Sequence, residues 1–140
     1  MDIKIATLAD QDTVFQMCLK FANTTYFKEH IDENKIRQLV KEFITFPSRI
    51  VLMCADKGML AGMVYPFLYG HKLIATEVVW WVEPEYRGEG VGQYLLQAFE
   101  QWAKESNCAL ISVECLDDEI GKYYESKRFT LYERAYMKEI

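Results

Sequence analysis

The chain has 140 residues and a mass of 16.5 kDa, which predicts a single domain over residues 1–140. Its 51% hydrophobic and 26% charged residues are typical of a globular protein that buries a core. The net charge of −5 and pI near 5.1 argue against nucleic acid or an anionic membrane as the main partner.

The cysteines and the first residues of the chain indicate a reducing compartment. Cys18, Cys54, Cys108 and Cys115 lie in apolar runs without metal-ligand spacing, so we expect buried, reduced thiols and no metal site. The start of the chain has no signal-peptide pattern, and no apolar run approaches membrane-spanning length. We therefore expect a cytoplasmic protein that does not bind a membrane.

The first third of the chain predicts one strand and two helices. Thr7 and Asp10 form a capping pattern, and Asp32 can cap a second helix that must end before Pro47. The predicted elements are a strand over residues 2–6, a helix over about 9–22 and a second helix that follows Asp32, with its apolar positions between Ile36 and Ile44.

The middle of the chain predicts three consecutive strands. A hairpin joins residues 50–55 to residues 59–68 through the tight turn Asp56-Lys57-Gly58. Because proline cannot donate to a ladder, Pro66 is expected to bend or end the second of these strands. After another turn, residues 73–82 form the third strand.

The last part of the chain predicts two helices and two strands. Residues 108–115 are continuously apolar, which predicts a strand that is buried on both faces. The other elements are a helix over about 91–105, a short helix capped by Asp117 or Asp118 that ends near 127, and a strand over 129–140. The order β-α-α-β-β-β-α-β-α-β predicts one mixed α/β domain.

The turn between the third of these strands and the helix that follows it is the most informative segment. Gly88, Gly90 and Gly92 are three of the seven glycines, and they leave the backbone open to a ligand. The helix N-terminus behind them offers unpaired N–H groups and the positive end of a dipole. The turn is therefore predicted to bind a phosphate or a pyrophosphate.

Two familiar phosphate-binding motifs do not fit this turn. A dinucleotide fingerprint needs a third glycine where the chain has Gln93 or Leu95, depending on the register. A P-loop needs Lys followed by Ser or Thr, whereas the chain has Gln93-Tyr94. Both motifs are excluded.

Two motifs resemble those of the GNAT superfamily of N-acetyltransferases. Residues 87–92, Arg-Gly-Glu-Gly-Val-Gly, are similar to its acetyl-CoA signature, and Val82-x-Pro84-x-Tyr86 is similar to its lead-in. Residues 123–129 resemble the Tyr-Glu-x-x-Gly-Phe helix end, one strand downstream as the family order requires. The resemblance implies an α/β GNAT fold, with a mixed central sheet of 6–7 strands and about four flanking helices.

The resemblance also implies how acetyl-CoA, the acyl donor, would bind. Backbone groups of Trp80, Trp81 and Val82 would pair with the pantetheine arm as if it were an added strand. Arg87 is either a salt-bridged loop residue or a group that neutralises a CoA phosphate. The backbone amides expected to bind the pyrophosphate belong to Gly88, Glu89, Gly90, Val91, Gly92 and Gln93.

Two further residues are the candidates for catalysis. Tyr124 matches the family tyrosine that donates a proton to the departing CoA thiolate, and its neighbour Tyr123 is expected to pack instead. Glu77 lies where some family members carry a general base, and simple alternation places it on one face with Val79 and Trp81. A core tyrosine and a solvent-facing glutamate remain the structural alternatives.

The chain departs from the family pattern at two places. Asp117 or Asp118 occupies the region of an asparagine that often contacts CoA, and capping is the better interpretation for both. Arg128 replaces a glycine at a position that commonly takes a left-handed helix cap.

The implied function is transfer of acetyl from acetyl-CoA to a primary amine of a small molecule or a protein. Direct transfer in a ternary complex is expected because neither motif contains a cysteine. The alternative is a non-catalytic acyl-CoA-binding or interaction module on the same fold. The acceptor is expected near residues 23–30 and 65–72, and a homodimer through the last strand or an apolar edge is possible.

Overall fold

The computed structural model describes residues 1–140 and contains one five-stranded sheet with four α-helices. The strands are β1 (Lys4–Ile5), β2 (Arg49–Cys54), β3 (Gly58–Pro66), β4 (Leu73–Val82) and β5 (Cys108–Ser112). The helices are α1 (Gln11–Ala22), α2 (Glu33–Thr45), α3 (Val91–Glu105) and α4 (Asp118–Ser126). None of these helices combines the length and the apolar character needed to cross a membrane.

The sheet is mixed, as the sequence predicts. The strands lie in chain order, every neighbouring pair is antiparallel except β4 and β5, and the parallel crossover between those two is made by α3. This connection puts the glycine turn at the carboxyl end of β4, where open α/β sheets commonly bind ligands.

Two apolar clusters hold the helices on opposite faces of the sheet. On one face α1 and α2 contribute Phe15, Met17 and other buried residues. On the other face α3 contributes Leu95 and Phe99, neither of which is exposed. A Cβ on Gly62 of β3 would clash with the Phe99 ring, so only glycine lets α3 pack so close to the sheet.

The predicted helix starts are confirmed. Asp10 accepts a hydrogen bond from the Thr7 N–H at 2.8 Å, in a 3₁₀ turn that leads directly into α1. Asp32 and Asp117 each accept from the backbone N–H three residues later, at 3.1 and 2.9 Å. Of the two candidate caps for the last helix, Asp117 is therefore the N-cap, and Asp118 is the first helical residue.

The prediction for β5 is wrong in length and in burial. The strand ends at Ser112, and the Leu110 side chain is 50% exposed. β5 is the edge strand of the sheet, and only its side toward α3 contributes residues to an apolar cluster, namely Cys108 and Ile111. A continuous apolar run therefore does not mean that both faces are covered.

The predicted strand over residues 129–140 is also wrong, so the sheet has five strands where 6–7 were expected. No backbone hydrogen bond involves residues 130–140. Side-chain contacts hold this tail instead: Tyr132 Oη lies 3.5 Å from Ser112 Oγ, and Glu139 pairs with His30 at 2.8 Å. These residues have no neighbouring strand to pair with, so they do not form a β-strand.

The cysteine prediction is confirmed in part. All four thiols are free, and Cys18 and Cys54 are buried. Cys108 is half-buried, and Cys115 is exposed because it lies beyond the end of β5. Burial raises the pKa of the Cys18 thiol to about 11, so this thiol stays protonated and behaves as a small apolar group.

Helix α4 ends in a Schellman motif built around Arg128. The N–H of Phe129 donates to the Tyr124 carbonyl and the N–H of Arg128 donates to the Glu125 carbonyl, both at 3.1 Å. The rings of Tyr124 and Phe129 are 5.5 Å apart, which is the apolar contact that accompanies this motif. Arg128 has φ of +71°, so the predicted left-handed position is confirmed.

We predict that Arg128→Gly stabilises the protein by about 1 kcal/mol, because glycine adopts a positive φ without the strain of a side chain. Urea denaturation would measure the change in the free energy of unfolding. Lys127→Gly is the matched control, since Lys127 has φ of −99° and gains nothing from glycine. Equal effects of the two substitutions would contradict the prediction.

Candidate functional site

The site begins where β4 and β5 part. The last residue pair between them is Thr76 with Ser112, whereas β4 continues for six residues to Val82. No strand pairs with this side of β4 beyond Thr76, so its backbone N–H and C=O groups face a gap. Trp80, Trp81 and Val82 all lie in this unpaired part of the strand.

The glycine turn lies directly beyond the gap. Gly88 and Gly90 have φ of +84° and +91°, values that L side chains rarely adopt. Gly90 is the N-cap of α3 and brings no side-chain cap, so the first N–H groups of the helix remain free. These donors and the helix dipole form a site for an anion.

A groove of about 320 Å³ runs along this turn. It combines free backbone donors with aromatic walls and one cationic side chain. Its lining residues are Trp80, Val82, Tyr86, Arg87, Gly88, Gly90, Gly92, Gln93 and Tyr123.

Gly92 seats the first turn of α3 on the sheet. A Cβ at this position would lie 3.1 Å from Trp80 Cζ2, closer than most side chains tolerate. The missing side chain therefore lets the N-terminus of α3 lie against the indole of β4. The sequence shows the glycine but not the ring that requires it.

Arg87 is held by the backbone and an aromatic ring. Its Nε donates to the Val82 carbonyl at 2.9 Å, and its guanidinium lies 4.8 Å from the centre of the Trp81 ring. No carboxylate lies within 4.0 Å, so the salt-bridge interpretation is wrong. The other nitrogens of the guanidinium remain free to meet an anion in the groove.

One ion pair at the base of the turn was missed by sequence reasoning. Glu83 is 8% exposed and accepts from Lys20 Nζ at 2.7 Å, which ties the turn to α1. Its backbone N–H also donates to the Lys57 carbonyl at 2.8 Å. Because Lys20 and Glu83 are 63 positions apart in the chain, no local pattern could reveal the pair.

A β-bulge at Val78 changes which face Glu77 occupies. In the register of β3 and β4, Ala61 pairs with Val79 and Gly62 pairs with Glu77, which leaves Val78 without a partner. Cross-strand partners share a face, so Glu77 lies with Gly62 on the α3 side. The predicted alternation, which grouped Glu77 with Val79 and Trp81, is therefore wrong across the bulge.

The Glu77 carboxyl is buried beside the gap. It is 6% exposed, which excludes the solvent-facing alternative, and its Oε2 accepts from the Glu114 N–H at 3.3 Å. Burial raises the pKa of Glu77 from 4.5 to about 7, and the hydrogen bond from the Glu114 N–H opposes only part of this rise. A carboxyl with this pKa exchanges a proton near neutral pH.

The Tyr124 side chain also lies beside the gap, where it contacts the same residue, Glu114, as Glu77 does. It is 5% exposed, and its O–H donates to the Glu114 carbonyl at 3.2 Å. Burial first, and then the charge of Glu77, raise the pKa of Tyr124 far above its usual value. The phenol therefore keeps its proton, and the single residue Glu114 bridges it to Glu77.

Aromatic rings form the wall between Tyr124 and the groove. The ring of Trp80 is stacked on Tyr124 at 5.6 Å and lies 5.9 Å from Tyr123. Tyr123 packs against these rings, as the sequence predicts for it. The structure thus brings both predicted catalytic residues and the glycine cradle, which is the turn over residues 88–93, to the side of the gap between β4 and β5.

Comparison with known proteins identifies the family of this arrangement. A model described as the Acetyltransferase (GNAT) family matches residues 15–125, most of the chain. An aminoglycoside N(6')-acetyltransferase type 1 from Stenotrophomonas maltophilia is 25% identical over 83 residues, which are 54% of this chain and 54% of that protein. The match therefore spans about half the length of that curated relative.

Solved structures agree with the fold. A transcriptional regulator from Bacillus halodurans C-125 superposes with a TM-score of 0.81 at 20% identity over 99% of both chains. An acetyltransferase from Trypanosoma brucei gives a TM-score of 0.75 at 16% identity, also over 99% of both chains. At these identities the likeness establishes the α/β fold and nothing about substrates.

We predict that Glu77→Gln stabilises the protein more at about pH 8 than at about pH 5. At low pH the carboxyl is protonated in both the folded and the unfolded chain. As the pH rises toward 7, the unfolded chain ionises first, so the wild type loses stability that the glutamine keeps.

Urea denaturation at the two pH values measures this difference. Glu133→Gln, on the exposed tail, controls for removal of one surface charge. A stabilisation by Glu77→Gln that is independent of pH would contradict the burial of a raised-pKa carboxyl.

Proposed function

The chain belongs to the GNAT family of acetyltransferases, and we propose that it transfers an acetyl group from acetyl-CoA to a primary amine. One observation carries the proposal. The gap between β4 and β5 opens onto the glycine cradle, and two proton-exchanging groups, Glu77 and Tyr124, meet through Glu114 beside it. An acyl transfer to an amine needs this combination of an anion site, a proton acceptor and a proton donor.

The cradle fits the pyrophosphate of CoA. Gly88 and Gly90 line the groove with positive φ and no side chain, so an anion can approach their backbone, and α3 adds its dipole. The free nitrogens of Arg87 supply a positive charge without competition from a carboxylate. Gly92 and Gln93 complete the set of groove residues expected to hold the phosphates.

The unpaired edge of β4 fits the pantetheine arm. An extended chain with amide groups can hydrogen-bond to Trp80, Trp81 and Val82 as an added strand would. The bulge at Val78 leaves a further backbone group outside the β3 ladder, where it can act as a donor to a developing oxyanion. When bound, acetyl-CoA supplies an acetyl group activated as a thioester.

The chain's own groups handle the two protons of the reaction. An ammonium has no lone pair, so the acceptor must first lose a proton, and Glu77 accepts it directly or through a water. As the C–N bond forms and the C–S bond breaks, Tyr124 donates its Oη proton to the leaving thiolate, and the second proton lost by the attacking nitrogen restores the phenol. Burial serves both roles, because it raises the pKa of the carboxyl to about 7 and keeps the phenol neutral.

The acceptor is proposed to be a cationic amine, either a small molecule or a protein amino group. The net charge of −5 favours approach of a cation. The relative from Stenotrophomonas maltophilia is named for transfer to an amino group of an aminoglycoside, which supports an amine as the acceptor class. The non-catalytic acyl-CoA-binding module remains the competing function, and turnover on amines separates the two.

We predict that Tyr124→Phe lowers kcat about 100-fold and leaves the Kd for CoA nearly unchanged, because the phenol acts on the leaving group. Thiol release over a panel of amines gives the rate, and calorimetry with CoA gives the Kd. Tyr136→Phe, on the exposed tail, is the matched control.

Three outcomes of these measurements are informative. Equal rates for wild type and Tyr124→Phe would remove the assigned role of the tyrosine. Tight CoA binding without turnover on any amine would favour the non-catalytic module. If CoA at about 1 mM gives no thermal shift, both functions are refuted.

We predict that turnover rises with pH through an apparent pKa near 7, because Glu77 must be ionised to accept a proton. In Glu77→Gln the rate should be lower and this rise should be absent. Initial rates from about pH 5.5 to about pH 8.5 at saturating substrates test the prediction. A glutamine variant that keeps the wild-type pH profile would assign the base to another group.

A further inference from the structure

Three buried polar side-chain atoms lack any hydrogen-bond partner, and two of them belong to residues that line the groove. They are Trp80 Nε1, Trp81 Nε1 and Tyr123 Oη. Buried donors are almost always paired in folded proteins, so each unpaired one needs an explanation. Trp80 and Tyr123 also line the groove of the glycine cradle, which suggests a shared cause.

The two unpaired donors that line the groove belong to two neighbouring aromatic rings beside the gap between β4 and β5. The Trp80 and Tyr123 rings are 5.9 Å apart, and both lie next to Tyr124. The indole edge of Trp80 that carries Cε2 and Cζ2 lies against Gly92, so its N–H lies beside the first turn of α3. The Trp80 and Tyr123 side chains therefore lie between Gly92 of the glycine cradle and the catalytic candidate Tyr124.

The chemistry of these atoms limits what can bind them. An indole N–H can only donate, so its partner must present an acceptor. Burial first, and then the charge of Glu100, raise the pKa of Tyr123, so its phenol also keeps a proton to donate. Two adjacent donors with no protein acceptor suit a ligand that brings carbonyl or phosphate oxygens into the groove.

We propose that the Tyr123 hydroxyl and the Trp80 indole N–H bind oxygen acceptors of the phosphopantetheine arm of CoA, which makes Tyr123 a ligand-binding residue. This inference rests on the proposed function, since it assigns these donors to the same donor substrate. The sequence-based prediction gave Tyr123 a packing role only. Its packing is real, but packing uses the ring and leaves the oxygen unexplained.

Tyr123→Phe gives a test with two opposite signatures. It removes one unpaired buried oxygen, so the free protein should melt at the same temperature or higher. The same change removes a donor to the ligand, so the Kd for CoA should rise about tenfold. A purely structural hydroxyl would give a lower melting temperature and an unchanged Kd.

Ligand fragments identify which part of CoA is bound. Calorimetry on the full chain would compare wild type, Tyr123→Phe and the control Tyr136→Phe with CoA, 4′-phosphopantetheine and adenosine 3′,5′-bisphosphate. We expect Tyr123→Phe to weaken CoA and 4′-phosphopantetheine by the same factor and to leave adenosine 3′,5′-bisphosphate unaffected. The control should bind all three as the wild type does.

The outcomes separate this inference from the function on which it rests. If wild type binds CoA and Tyr123→Phe binds it equally well, the inference is wrong and the proposed function stands. A loss confined to adenosine 3′,5′-bisphosphate also overturns the inference, because the hydroxyl would then serve the nucleotide end. If wild type does not bind CoA, the proposed function is wrong and the inference is wrong with it.

Discussion

The parting of β4 from β5 is the constraint on which the site depends. Backbone pairing stops at Thr76, and the edge of β4 beyond it has no protein partner. Glu114 fixes the start of the gap because its N–H and carbonyl bind Glu77 and Tyr124. The backbone of Glu114 thereby joins the two proton-exchanging groups at the point where pairing between β4 and β5 has ended, and both groups are buried. Beyond Thr76 the backbone N–H and C=O groups on this edge of β4 have no protein partner, so a ligand with amide groups can pair with them.

The protein uses backbone donors and one cation to attract an anionic ligand, although its net charge is −5. Free N–H groups at the start of α3 and the positive φ of Gly88 and Gly90 concentrate positive potential on the groove. Glu83, the carboxylate buried at the base of this turn, is paired with Lys20. The acidic surface is thus compatible with an anion site, because the local field differs from the net charge.

Helix α4 connects stability to function through its C-terminal end. The Schellman bonds and the Phe129 ring hold Tyr124, and Arg128 bears the strain of the left-handed position that closes the motif. The same helix carries Tyr123, whose hydroxyl lacks a partner while its ring packs against Trp80. One unpaired donor on α4 and a strained residue just beyond its end thus lie together at the site, as expected where function limits stability.

Capping residues, glycine spacing and apolar periodicity act over a few positions, so they were enough to predict the four helices, the first four strands and the glycine cradle. The sequence could not determine the face of Glu77, since the bulge at Val78 depends on the register against β3. It predicted a last strand over residues 129–140, but residues 130–140 make no backbone hydrogen bond in the folded chain. These features, and the burial that raises the pKa of Glu77, depend on contacts between segments far apart in the chain and so appear only in the folded protein.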